Sequence, residues 1–85
     1  MKVNFNELKN PVRVKIISNC SYILKNLDKK SNYNRANRLL NYLINNGHTI
    51  CAKLERIDNN DKVIFYCEKE DKKEISSDIR EWFKD

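Results

Sequence analysis

The sequence predicts a single α+β domain, mostly helical, ordered as helix, short helix, long helix, β-hairpin and C-terminal helix. Three observations carry this expectation. An 85-residue chain is long enough for one modest core, because small domains bury only part of the surface their unfolded chains expose. Apolar residues at 40% and charged residues at 34% suit a folded domain better than a disordered tail. One glycine and one proline leave little material for tight-turn β architecture and favour helices joined by polar connectors. Residues 1–85 therefore read as one domain, with 71–85 as its terminal helix.

The first helix is expected from Asn10 and Pro11, since Asn caps well and Pro at the first helical position loses only an N–H without a helical partner. Val12, Ile16 and Cys20 then share a face that Val14 and Ile17 broaden, although Val-Arg-Val-Lys-Ile also alternates as a strand does. Ser21 suits the cap of a short second helix through Leu27, with Ile23 and Leu24 at helical spacing, and Asp28-Lys29-Lys30 reads as a turn. Ser31 caps a third helix whose apolar stripe is Ala36, Leu39, Leu40, Leu43 and Ile44, closed by Gly47.

Two β-prone runs follow, 49–56 and 62–67, separated by 57–61, which has turn chemistry throughout. Pairing Arg56 with Lys62 across that five-residue loop would set Cys51 opposite Cys67 and Leu54 opposite Ile64, with the register open by one residue. From about Asp71 a last helix carries Ile75, Ile79, Trp82 and Phe83 on one side, and its early acids suit the helix dipole. Trp82 and Phe83 either cover the core or meet a second subunit.

The formal charge of +5 is unevenly spread: 68–85 holds seven acids and five bases, a balance of −2, which leaves +7 on 1–67. Such a basic body attracts polyanions, and nucleic acid or an acidic protein are the natural partners. Cys20, Cys51 and Cys67 form no CxxC pair, so a zinc site is not expected. With no signal-peptide pattern and no long apolar run, the expected setting is cytoplasmic, reduced and away from membranes. His48, the only histidine, has no metal-ligand spacing around it, and no nucleophile elbow, phosphate-binding glycine loop or HExxH sequence occurs. The expectation is a non-enzymatic protein without cofactor or metal.

Three segments carry a resemblance. Residues 8–17 (LKNPVRVKII) place a leucine before a proline, an arginine and paired aliphatics; residues 36–47 (ANRLLNYLINNG) pack by leucines and stop at glycine; and a basic strand ending in Arg56 passes over a polar tip to Lys62-Val63-Ile64-Phe65-Tyr66. Together they resemble the winged helix-turn-helix of compact bacterial repressor domains, including the metal-sensing repressors, whose paired-cysteine motif is absent here. The small-residue pattern usual between the two helices of such a motif is also absent.

The resemblance implies double-stranded DNA as partner, read by the third helix in the major groove. At the leading end of that helix Asn32, Tyr33, Asn34, Arg35, Asn37, Arg38 and Asn41 are the base-contact candidates, since Arg pairs with guanine and Asn with adenine through two hydrogen bonds. Lys29, Lys30 and Ser31 would approach phosphate oxygens. The wing would add Lys53, Arg56, Asn59, Asn60 and Lys62 at the backbone or minor groove. A homodimer joined through Ile75, Ile79, Trp82 and Phe83 would address two half-sites about one helical turn apart. The implied role is that of a repressor or an accessory factor at a plasmid or phage replication or transfer origin. The alternatives are a phage- or plasmid-type inhibitor or adaptor that docks on a protein partner, which the basic charge disfavours, and an RNA-binding protein, for which aromatic strand motifs are lacking.

Overall fold

The computed structural model describes residues 1–20 and 32–84. Within them lie three strands, β1 (Pro11–Ile17), β2 (Cys51–Ile57) and β3 (Asn60–Glu68), and two helices, α1 (Asn32–Asn45) and α2 (Lys72–Phe83). The strands form one antiparallel sheet in the order β1-β3-β2. Short 3-10 turns stand at Phe5–Glu7 and Lys69–Asp71. The architecture is α+β, with helix and strand in comparable amounts among the described residues. The short helix expected at 21–27, the turn at 28–30 and the Ser31 cap lie outside the described residues.

The opening helix expected from Asn10-Pro11 is instead β1. Val12, Val14, Ile16 and Ile17 are β-branched and lose side-chain freedom in a helix, and β3 offers a partner along their whole length. Pro11 is the first residue of this edge strand, a place where its missing N–H is tolerated. The alternation is broken at Val14, where the pairing register shifts between Arg13 and Lys15. Strict alternation would turn Lys15 away from Val12 and Val14. The bulge instead sets Lys15 opposite Phe65, buries Ile17 and leaves Ile16 exposed on the other face.

The hairpin loop has two residues rather than five: Ile57 pairs with Asn60, and Asp58 and Asn59 both take positive φ, 53° and 65°. Two consecutive left-handed residues make the turn whose twist matches that of the strands, and Asp and Asn adopt this conformation more readily than other side chains. Arg56 therefore pairs with Asp61, Leu54 with Val63 and Cys51 with Tyr66. A slip of one residue moves side chains to the opposite face. Cys67 thus points to the helices, while Cys51 lies on the other side of the sheet, and both are free thiols.

Both helices pack on the face of the sheet that carries Val63, Phe65 and Cys67. Ala36, Leu39, Leu40 and Leu43 of α1 and Ile75 and Ile79 of α2 close this core around Phe65, which is fully buried. By the standard of large-to-small core changes a side chain in Phe65's position contributes about 3–5 kcal/mol. Helix α1 ends as its glycine requires: Gly47 has φ +89°, its N–H donates to the Ile44 carbonyl and the His48 N–H to the Leu43 carbonyl.

The other face of the sheet is partly covered by the N-terminal segment. Phe5 meets Tyr66 edge to face at 4.9 Å, and Leu8, Cys51 and Ile64 are buried outside the main cluster. Backbone bonds tie this segment to the start of β2, the Val3 N–H donating to the Ile50 carbonyl and the Ile50 N–H to that of Met1. At its far end the Glu68 carboxylate accepts the N–H groups of Asn10 (2.8 Å) and Lys9 (3.0 Å). These two bonds hold the Glu68 carboxyl below the usual carboxylate range.

A depressed carboxylate stabilises the fold above its unfolded pKa of about 4.3 and ceases to do so as the pH falls through its folded value. Urea unfolding should therefore show Glu68→Gln less stable than wild type at pH 7, with the difference shrinking as the pH drops below about 4. A difference that stays constant down to acid pH would mean that the carboxylate does not anchor the segment.

Candidate nucleic-acid interface

Helix α1 contains two arginines, five asparagines and no acid. Its buried stripe settles what faces outward: Asn37, Arg38, Asn41 and Asn45 are exposed and Asn34 is half-buried beside them. The structure thus brings Asn34, Asn37, Arg38 and Asn41 together along one side, as the sequence pattern predicts. Asn32 and Tyr33 are placed differently. The Asn32 side chain donates to the Ser18 carbonyl at 2.9 Å and ties the start of α1 to the end of β1, and Tyr33 packs against the core. Lys29, Lys30 and Ser31 are not among the described residues.

Arg35 leaves this asparagine-rich side. Its guanidinium lies 4.8 Å from the centroid of the Phe83 ring and 5.8 Å from that of Trp82, and these two rings meet edge to face at 4.9 Å. Lys15, turned inward by the bulge in β1, sets its Nζ 4.6 Å from the same Phe83 centroid. The exposed Arg80 and Lys84 border the adjoining surface, where Lys84 pairs with Glu81 at 3.2 Å. The sequence pattern does not single out Lys15. The alternation of Val12-Arg13-Val14-Lys15 was the available signal, but only the bulge places the lysine on the helical side.

The hairpin divides its cations between the two faces of the sheet. Lys53 and Lys62 lie on the face opposite the helices, where Lys53 pairs with Glu55 at 3.5 Å and stands 4.9 Å over Phe5, and Lys62 lies across from Glu55. Arg56 lies across from Asp61 on the helical side. Asn59 is a turn residue, and the Asn60 side chain donates to the Asp58 carbonyl at 3.4 Å. Between 53 and 62 three bases meet three acids, so this wing has no net charge of its own. Helix α1, by contrast, carries two arginines and no acid, and Lys15 of β1 joins Arg35 where α1 meets α2.

Other chemistry is quiet among the described residues. The thiols of Cys20, Cys51 and Cys67 are buried, and burial pushes all three up, Cys67 to about 11 with help from the nearby Asp71 carboxylate. No group of three His, Cys, Asp or Glu that could hold a metal ion occurs among the described residues, and no described helix is long and apolar enough to cross a membrane. His48 has a partner the local sequence could not reveal: its Nε2 lies 2.5 Å from Asp78 Oδ2 of α2, thirty residues away. Asn46 reaches the same carboxylate at 3.5 Å. This clasp fixes the end of α1 against the middle of α2.

Of the four side chains proposed for a subunit contact, Ile75 and Ile79 are buried in the chain's own core, which leaves Trp82 and Phe83 partly exposed at its edge. Comparison with protein-family models, with curated proteins and with solved structures gives no match.

The His48–Asp78 clasp predicts non-additive losses. Asp78→Ala should cost about 1–3 kcal/mol in urea unfolding at neutral pH, and His48→Ala should cost less in that background than alone. Additive costs would show that the two side chains do not act as a pair.

Proposed function

We propose that this protein binds double-stranded DNA without catalysing a reaction, presenting the outward side of α1 to the major groove with the β2–β3 hairpin beside it. The observation that carries the reading is the composition of that side: Asn34, Asn37, Arg38 and Asn41 along one helix with no carboxylate among them. Asn offers adenine, and Arg guanine, a pair of hydrogen bonds in the major groove. A solvated face selected only for solubility more often mixes both signs of charge, whereas this one holds only donors and neutral amides. Support also comes from the order of α1, hairpin and terminal helix, with the sheet arranged β1-β3-β2, which is the order a winged helix-turn-helix requires from its recognition helix onward. The strand β1 stands where the resemblance would put an opening helix. The role that follows is occupancy of a DNA site, as a repressor or as an accessory factor at a replication or transfer origin. Pairing of two copies would use Trp82 and Phe83, since Ile75 and Ile79 are enclosed.

Fluorescence anisotropy of labelled duplexes, from random sequence and from the DNA around the coding sequence, tests this. Tight binding to one fragment should weaken with added salt, and Arg38→Ala or Asn41→Ala should each reduce preference for that fragment by about 1–3 kcal/mol, or roughly 5- to 150-fold. Absence of binding to any duplex at low salt overturns the reading, and a preference for single-stranded RNA over every duplex replaces it.

A further inference from the structure

We propose that Lys15 and Arg35, converging on the ring of Phe83 where β1, α1 and the end of α2 meet, form a binding site for a phosphodiester group. The inference rests on the nucleic-acid reading above and adds the point at which the backbone is gripped. Three observations support it, the first two independently of the asparagine-rich side of α1.

The first is the way the cations are held. Both lie within 5 Å of one ring centroid, so they are less than about 10 Å apart, within the order of the screening length at 0.1 M salt. Two like charges at that separation repel, and the ring quadrupole offsets that repulsion only in part. Among the described residues neither pairs with a carboxylate, although Lys53 and Lys84 each do. An anion lying between Lys15 and Arg35 would neutralise both at once.

The second is shape. A hollow of about 290 Å³ is lined by both side chains, by Ser18, Asn19, Asn32 and Phe83, and by the adjoining Ile16–Ile17 stretch of β1. Both cations already lie against the ring that walls the hollow, so part of their side-chain freedom is spent before an anion arrives. Arg80 and the Glu81-paired Lys84 border the hollow next to it, so that Arg80 extends the positive surface along α2.

The third is placement. Arg35 is one turn before Arg38 on α1, so a groove occupied by the asparagine-rich side would bring a strand's backbone past the Phe83 cluster. The bulge at Val14 is what delivers Lys15 there, and bulges are over-represented where a strand must re-aim a side chain. Arg35 and Arg38 therefore have separate tasks. Arg38 discriminates bases, while Arg35 with Lys15 holds phosphate and is indifferent to sequence.

The test uses Lys15→Gln and Arg35→Gln, which keep most of the side-chain stem, with Arg35→Lys as a charge-retaining control. Duplex affinity is measured against salt, and fluorescence of Trp82, the only tryptophan, is followed during titration with inorganic phosphate without DNA. Each Gln variant should lower the slope of log affinity against log salt by about one while leaving base preference unchanged. Arg35→Lys should keep the wild-type slope. Phosphate should change Trp82 emission in wild type and not in the Gln variants. Duplex binding with an unchanged salt slope in both Gln variants overturns the phosphate site and leaves the DNA reading intact. A phosphate response lost in the variants, with no duplex bound, keeps the site and overturns the DNA reading. Silence in both measurements overturns both.

Discussion

Strand β3 is the constraint from which the rest of the structure follows. It is the central strand, paired along both edges, and its alternate residues Val63, Phe65 and Cys67 form the floor on which both helices pack. Which side chains reach that floor is decided at one point, the two-residue turn of Asp58 and Asn59. Adding one residue on one side of this turn would turn Phe65 away from the helices relative to its partners, or present the wrong residues of β2 beside it. The left-handed tolerance of Asp and Asn thus carries through local register to the whole core.

With β3 fixed, the cationic surface is a consequence of how its neighbours are arranged. The leucine stripe of α1 must face Phe65, and this obliges Asn37, Arg38 and Asn41 to face solvent. Ile75 and Ile79 bind α2 to the same floor and carry Trp82 and Phe83 to the edge of the core, where Arg35 meets them. The irregularity in β1 adds Lys15 from the sheet side. Three elements distant in sequence therefore contribute to one positive edge, and the His48–Asp78 clasp holds two of them in relative position.

Much of this was legible in the sequence where periodicity was strong. The stripe of Ala36, Leu39, Leu40 and Leu43 with Gly47 after it specified α1 and its exposed side, and Ile75 and Ile79 specified α2. In the first segment an Asn-Pro helix signal competes with the β-branched alternation of Val12 to Ile17, and what decides between them, a free edge of β3, is non-local. The hairpin was found but not its register, because Ile57 and Asn60 look like loop residues until Asp58 and Asn59 are known to be left-handed. Lys53 and Lys62, expected to act with the helix, follow that register onto the opposite face. The phosphate-binding candidates were half visible: Arg35 was on the helix, but its move onto Phe83 and the arrival of Lys15 depend on tertiary packing and a bulge.

The central claim is that one edge of the molecule, α1 with its aromatic junction, meets nucleic acid while the opposite sheet face does not. Amide chemical-shift mapping during titration with a duplex tests it most directly. The account predicts shifts concentrated at 34–41, at the hairpin tip and at Lys15 and Phe83. Shifts concentrated instead at Phe5, Lys53 and Tyr66 on the far side of the sheet would contradict it.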